Sequence, residues 1–169
     1  LALAERFNIT RKEKLIAEKM ADIDALTNLN NRRSFYKFVK PIWALSLRNH
    51  SHASVIMVDV DDFKLFNDKH GHALGDQILI RLAETLRKEA RSGDILTRWG
   101  GEEFLIFLPE TKLADAVTFA ERVRKRISMI ELAPINHEKF TFTASFGVAH
   151  NQNIMSLDEL ISIADQQLY

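Results

Sequence analysis

Apolar positions along this chain follow two periods, one near seven or four residues and one near two. Ile9, Ile16 and Ile23 stand seven apart, with the small Ala2 one heptad earlier, which marks one column of a helix seam. The companion column, Glu5, Lys12 and Lys19, is polar. Two readings therefore stay open for this first helix: a signalling stalk, or a helix packed on its own domain. Thr10-Arg11-Lys12-Glu13 carries the capping-box pattern, in which hydroxyl and carboxylate satisfy each other's orphan amides. "DALTNLNNRRSF" (24–35) then breaks the helix and starts another. Asn28 suits the left-handed conformation of a turn, and Asn30 or Asn31 suits the cap of the next helix. That helix should carry Phe35, Phe38, Val39 and Ile42 toward a core before the polar "RNHSH".

"ASVIMVDV" (53–60) reads as a buried strand from its run of branched apolar residues. Leu74, Ile78, Leu82 and Leu86, four apart, predict a helix over about 73–91. "DILTRWGGEEFLIFLP" predicts a hairpin, and "ADAVTFAERVRKRISMI" a helix. "KFTFTASFGVAH" alternates Phe140, Phe142, Ala144, Phe146 and Val148 as a strand does, and "SLDELISIADQQLY" closes the chain as a helix opened by a Ser156–Glu159 capping box. After the opening helices the order is strand, helix, hairpin, helix, strand, helix. This predicts an α/β domain with a mostly antiparallel sheet over 24–169, preceded by a linker helix over 1–23.

Composition narrows the class. At 169 residues, 46% hydrophobic and 27% charged, the chain matches one compact globular domain with a helical extension. Lys+Arg and Asp+Glu are both 23, so no overall basic field exists for duplex nucleic acid. The absence of cysteine excludes a disulfide framework and thiolate metal sites, and fits a reducing compartment. No apolar run approaches the roughly 20 residues needed to span a bilayer. The opening "LALAERFNIT" lacks an initiating Met, so the chain is expected to be a piece of a longer protein.

The chemistry concentrates in two places. At the end of the first buried strand, "DVDDFKLFNDKHGHALGD" (59–76) places Asp59 and Asp61 on one side and Val60 opposite. Carboxylates at a strand end, beside a loop carrying Lys64, Asn67 and Asp76, suit a hard divalent cation with phosphates. An acidic surface turn is the plainer alternative. The hairpin tip "RWGGEEF" bears on the choice: if the two strands pair, Glu102 and Glu103 arrive near Asp59. Gly100 and Gly101 would then serve a turn needing positive φ and leave room for a ligand.

"RWGGEEF" together with "DVDDFKLFNDKHGHALGD" resembles the GGDEF family of diguanylate cyclases, in its GGEEF spelling. "DALTNLNNRR", "TASFGVA" and "ADQQLY" resemble other segments of the family, so the likeness spans 24–169 in order. It implies a ferredoxin-like βαββαβ core with added elements, related to nucleotidyl cyclases and polymerase palms. It also implies condensation of two GTP molecules into cyclic di-GMP with release of two pyrophosphates, through attack of a ribose 3′-hydroxyl on an α-phosphate. By motif position, Asp59, the Val60 carbonyl, Glu102 and Glu103 would hold two Mg2+ or Mn2+ ions, and Glu102 would take the nucleophile's proton. Lys64 would offset phosphate charge, backbone amides near Asp62 and Phe63 would bind phosphate oxygens, and Gly100 and Gly101 would border the substrate. Asn67 and Asp76 fit guanine, whose N1–H and exocyclic amine a carboxylate accepts; adenine presents an acceptor at N1 instead. His72 reads as a structural residue of the loop and His70 as solvated. Asp61 and Asp68 read as loop hydrogen-bonders, with contact to the outer metal shell as the alternative for either.

"RSGD" (91–94) resembles the family's R-x-x-D inhibitory site, with Arg91 reading guanine O6 and N7, Asp94 its Watson–Crick donors, and Arg122 as a further arginine. A helix end with Gly93 as C-cap is the alternative. Asn28 replaces the family's glycine in the L-T-G-L turn. The chain stops at Tyr169, before the family's A-K-x-x-G-R-N segment with its phosphate-binding Lys and Arg, so weak catalysis is expected of this piece. The resemblance further implies a homodimer, an upstream sensor, no nucleic-acid partner, no membrane contact by this piece, and a cytoplasmic location or the cytoplasmic part of a membrane-anchored sensor. A catalytically inactive module that binds GTP or cyclic di-GMP as a receptor is the rival reading. A phospho-receiver has no use for the Gly-Gly-Glu-Glu hairpin.

Overall fold

The computed structural model describes residues 2–133, 139–154 and 156–168. Tyr169 lies outside them, as do the side chains of Ala2 and Lys19 in the N-terminal seam. In chain order the elements are α1 (Ala2–Ala21), β1 (Asn30–Asn31), α2 (Arg32–Asn49), β2 (Ala53–Val60), α3 (Phe63–His70), α4 (His72–Glu89), β3 (Ile95–Arg98), β4 (Glu103–Pro109), α5 (Leu113–Ser128), β5 (Ala144–His150) and α6 (Leu157–Gln166). The sheet order is β1-β3-β4-β2-β5. Only the short β1 runs parallel to its neighbour; the β3–β4, β4–β2 and β2–β5 pairs are antiparallel. Without β1, the four long strands form the ferredoxin-like βαββαβ arrangement, with the first and third strands, β2 and β4, at its centre.

The sheet buries both faces, which is why β2 and β4 lack a clean in–out alternation. Ile56, Val58, Val60, Phe104 and Ile106 pack under α4 and α5 through Ile78, Leu82, Leu86, Val123 and Ile127. Val55, Met57, Leu105 and Phe107 pack under α2 and α6 through Phe35, Val39, Trp43, Leu160 and Ala164. α2 starts where Asn31 Oδ1 accepts from Ser34 N–H at 3.0 Å. Asn30 instead donates to the Leu96 carbonyl. Asn28 takes the expected left-handed turn, with φ 57°.

Several local expectations fail for identifiable reasons. Thr10 caps nothing: it lies inside α1, and its hydroxyl bonds back to the Arg6 carbonyl at 2.9 Å. Phe38 is exposed, because α2 turns Phe35, Val39 and Trp43 to the sheet and leaves Phe38 on the outer face. The segment carrying Lys64 and Asn67 is the helix α3 rather than a loop, and Asp76 lies in α4, the helix expected over about 73–91. Gly71, at φ 87°, supplies the break between them. α4 ends on Ala90, so Gly93 is not a C-cap. β5 is shorter than its alternating run, with Phe140 in an isolated bridge to Leu132. On α1, Ile9 and Ile16 are exposed and not packed on the domain, whereas Ile23 lies past the helix, bridged to Asn30. No described helix is long and apolar enough to cross a membrane.

Candidate active site

The register of the two central strands sets the site. Asp59, next to last in β2, lies directly opposite Glu103, the first residue of β4. Directly opposed residues project to the same face, with Cβ atoms about 5 Å apart. One step further, Val60 N–H donates to the Glu102 carbonyl at 3.3 Å, which ties the hairpin tip to the end of β2. The acids of the two elements thus meet at one end of the central strands.

Electrostatics records the encounter. Burial pushes the Asp59 carboxyl up to about 6, and the charges of Glu102, Glu103, Asp61 and Asp165 push in the same direction. Carboxylates held together against their repulsion are relieved by a shared proton or by a counter-cation. The available donors are all oxygens, carboxylates with the Val60 carbonyl at the strand end, which is the hard-ligand set that Mg2+ or Mn2+ takes. Among the described residues, no three acid, imidazole or thiol side chains close into a ready-made metal cage. That matches a cation held by one or two carboxylates and completed by water and phosphate. The residues present therefore fit the group.

The tip is shaped differently from the expectation. Neither Gly100 nor Gly101 has positive φ. The turn closes instead on hydrogen bonds: Trp99 and Gly100 N–H both donate to the Glu103 carbonyl, and Arg98 donates to the Gly101 carbonyl. The glycines contribute space. A Cβ on Gly100 would stand 2.5 Å from Glu103 Oε2, and one on Gly101 would point into open space. Arg98 also pairs with Asp24 at 3.2 Å, a link from the hairpin to the segment after α1.

Beside the acids, Asp62 is exposed, sits at φ 53° and offers no side-chain cap to α3. The first amides of that helix, from Phe63 and Lys64 onward, are thus left as anion donors. Lys64 is exposed on the same turn. Asn67 Oδ1 is buried without a hydrogen-bond partner. It packs against Gly75, where a Cβ would stand only 1.9 Å away. Asp76, next in α4, is exposed. Asp61 has a structural role, accepting from Thr143 Oγ1 at 2.5 Å and Ser145 Oγ at 2.7 Å. His70 is not solvated; it is half-buried against Phe66 and Phe140. His72 is exposed at the start of α4.

The second predicted cluster also assembles. Arg91, Asp94 and Arg122 line one recess of about 40 Å3 with Leu108 and Phe119. Asp94 closes a turn, accepting from Arg91 N–H at 2.7 Å, and burial raises its carboxyl above the usual range. Arg122 is already engaged by Glu89, through its side chain and its carbonyl.

Sequence reasoning missed the surroundings of Glu103. A cavity of about 440 Å3 lies beside it, lined by Arg32, Tyr36, Trp99, Asp158 and Asp165. Arg32 stacks 4.3 Å above the Trp99 ring, and Tyr36 donates to Asp158 at 2.9 Å. Asp165 had a signal, its place within "ADQQLY"; the aromatic wall had none.

Fold and site define a ferredoxin-like domain whose two central strands gather acids at one end of the sheet. Residues 21–169 match the family described as "Diguanylate cyclase, GGDEF domain", and the chain belongs to that family. It is 40% identical over 164 residues to the diguanylate cyclase DgcM of Escherichia coli K12, covering 96% of this chain and 39% of that protein. Against the diguanylate cyclase DosC of the same strain it is 37% identical over 147 residues, covering 87% and 32%. The chain therefore spans well under half the length of these relatives. Among solved structures, the coiled coil and GGDEF domain of DgcB from Caulobacter crescentus, in complex with c-di-GMP, superposes with a TM-score of 0.92 at 26% identity, over 98% of this chain and 87% of that one. The active GGEEF domain of a diguanylate cyclase from Vibrio cholerae gives 0.75 at 30% identity, over 82% and 88%.

Proposed function

We propose that this domain condenses two GTP molecules into cyclic di-GMP as a homodimer, each protomer presenting one nucleotide to the other. The observation that carries this reading is the register that faces Asp59 with Glu103 and bonds Val60 to Glu102. Asp59, the Val60 carbonyl, Glu102 and Glu103 would hold two Mg2+ or Mn2+ ions. When bound, the cations neutralise the triphosphate and lower the pKa of the attacking 3′-hydroxyl. Glu102, at the tip, would accept that hydroxyl's proton. The bond formed joins the 3′-oxygen to the α-phosphorus, and the bond broken releases pyrophosphate.

The chain's own residues do the positioning, which dominates phosphoryl transfer. Lys64 and the open amides at the start of α3 bind phosphate oxygens, with Gly101 leaving their approach clear. The unpartnered Asn67 and the exposed Asp76 read guanine. Against adenine the same groups would face an acceptor, so discrimination of tenfold or more follows. Arg91, Asp94 and Arg122 bind the product as an inhibitor, at the far end of β3 from the hairpin tip. For that, Arg122 must exchange Glu89 for a guanine. The linker helix over 1–23 would join the domain over 24–169 to an upstream sensor, in the cytoplasm.

Incubation with GTP and Mg2+, read by chromatography, tests the proposal. Cyclic di-GMP and pyrophosphate should appear in a 1:2 ratio, and Glu102→Gln should abolish them. Tight cyclic di-GMP binding with no turnover would mean a receptor instead.

A further inference from the structure

Asp165 belongs to no motif role assigned above, yet the fold places it with deliberate-looking closeness. α6 lies over β5 at Gly147, where a Cβ would stand 1.9 Å from the Ala164 carbonyl and 2.9 Å from Leu168 N. Only a residue without a side chain lets the last turn of α6 settle so near the sheet. Gly147 pairs with Met57, two residues before Asp59, so this turn rests beside the acid-bearing end of β2. Asp165, next to Ala164, then lines the same cavity as Glu103 and Met57.

Among the described residues, Arg32 is the one cation in the lining of this cavity, and it stacks on Trp99; the helix end itself does not favour an acid. The last turn of a helix is the negative end of its dipole, where cations are preferred. The last turn of α6 has no basic residue, and Asp165 is among the acids whose charge bears on Asp59. A carboxylate set against both a helix C-terminus and other carboxylates is consistent with a cation as its partner, not with a contribution to stability.

We propose that Asp165 is a positioning residue of the metal–phosphate site, its carboxylate ordering the water shell of a divalent cation held by Asp59 and Glu103 on the neighbouring strands. This rests on the cation reading given under the proposed function. Mg2+ keeps several of its waters when bound, and a carboxylate from a third element fixes where those waters stand. Loss of such an outer partner weakens metal binding about tenfold or more.

The test titrates Mn2+ into the protein with a non-hydrolysable GTP analogue, following free Mn2+ by its paramagnetic resonance. Asp165→Asn should raise the Mn2+ dissociation constant about tenfold. It should leave the melting temperature near that of the parent, since the side chain is exposed. Asp165→Glu should stay within about threefold of the parent. The Mg2+ concentration for half-maximal turnover should shift with Asp165→Asn, while KM for GTP at saturating Mg2+ does not. An unchanged Mn2+ constant in Asp165→Asn overturns the proposal, and so does equal weakening in Asp165→Glu. Asp59→Asn separates the two levels: if it weakens Mn2+ binding and Asp165→Asn does not, only the role of Asp165 falls. If Asp59→Asn also binds normally, the cation reading itself falls.

Discussion

Asp59 carries its charge at a cost to the folded domain. Its carboxyl titrates near 6 in the fold against an ordinary value of 3.8, with burial as the largest cause and the Glu102 charge next. Between those two values the native state binds more protons than the unfolded chain, so stability falls as pH rises from about 4 to 6 and stays lower above. Without added cation, Asp59→Asn should therefore melt higher than the parent at pH 7.5, by on the order of 2 °C. The difference should vanish near pH 4. A higher melting point for the parent at pH 7.5 would contradict the crowding of acids. Proton and cation compete for Asp59, so the Mg2+ concentration for half-maximal turnover should rise as pH drops through 6. Asn67 offers a second check at this scale. Gly75→Ala would drive a Cβ into the space of Asn67 Oδ1. Steady-state kinetics should show KM for GTP rising about tenfold, and an unchanged KM would mean that Asn67 does not touch the base.

At the scale of elements, the close seating of α6 on β5 depends on Gly147. Gly147→Ala should cost about 1–3 kcal/mol by overpacking backbone against backbone, measurable by urea unfolding. A neutral result would show that α6 can retreat freely from the sheet. What the sequence revealed of these elements follows their physics. β2 and β4 were legible from their continuous apolar runs, and α4 and α6 from apolar periodicity and caps such as Ser156, which accepts from Glu159 N–H; all are local signals. The reciprocal part of α2's packing was half-read: Phe35 and Val39 were placed inward correctly, but Phe38 was not, because periodicity alone leaves the flank of a helical stripe undecided. α3 escaped notice since its eight residues hold no fully buried side chain and so show no strong stripe. Asp59 meeting Glu103 was inferred only by supposing that two strands pair; which residue opposes which depends on register, which tertiary packing sets. The aromatic wall of Arg32, Tyr36 and Trp99 joins α2 to the hairpin across some sixty residues, beyond any local pattern.

For the whole molecule, α1 is the feature the domain leaves uncovered. Phe7, Ile9, Leu15, Ile16 and Met20 are all at least half exposed. Of these, Ile9, Ile16 and Met20 share one face of α1; burying it is worth roughly 25 cal/mol per Å2 of apolar surface, and a second copy of the same helix offers a matching face. The dimer proposed for catalysis would gain from it, because each protomer holds only one of the two nucleotides. Ile16→Lys should leave the monomer's melting temperature unchanged while lowering the dimer fraction by light scattering. Specific activity should then rise with protein concentration. Unaltered self-association would place the dimer contact elsewhere. The junction below α1 is well tied: Asp22 pairs with Arg33 and Lys37, and Asp24 with Arg98. Movement of the stalk would thus reach the Gly100–Gly101 turn through charge-assisted bonds, since Arg98 also holds the Gly101 carbonyl.

The shared cation is tested most directly by diffraction from crystals soaked with Mn2+ and a non-hydrolysable GTP analogue. Anomalous density should appear within about 2.2 Å of the Asp59 carboxylate, in contact with the Val60 carbonyl and an acid of the hairpin tip, with the α-phosphate alongside. A bound nucleotide whose Mn2+ touches neither Asp59 nor Glu102 nor Glu103 would contradict it.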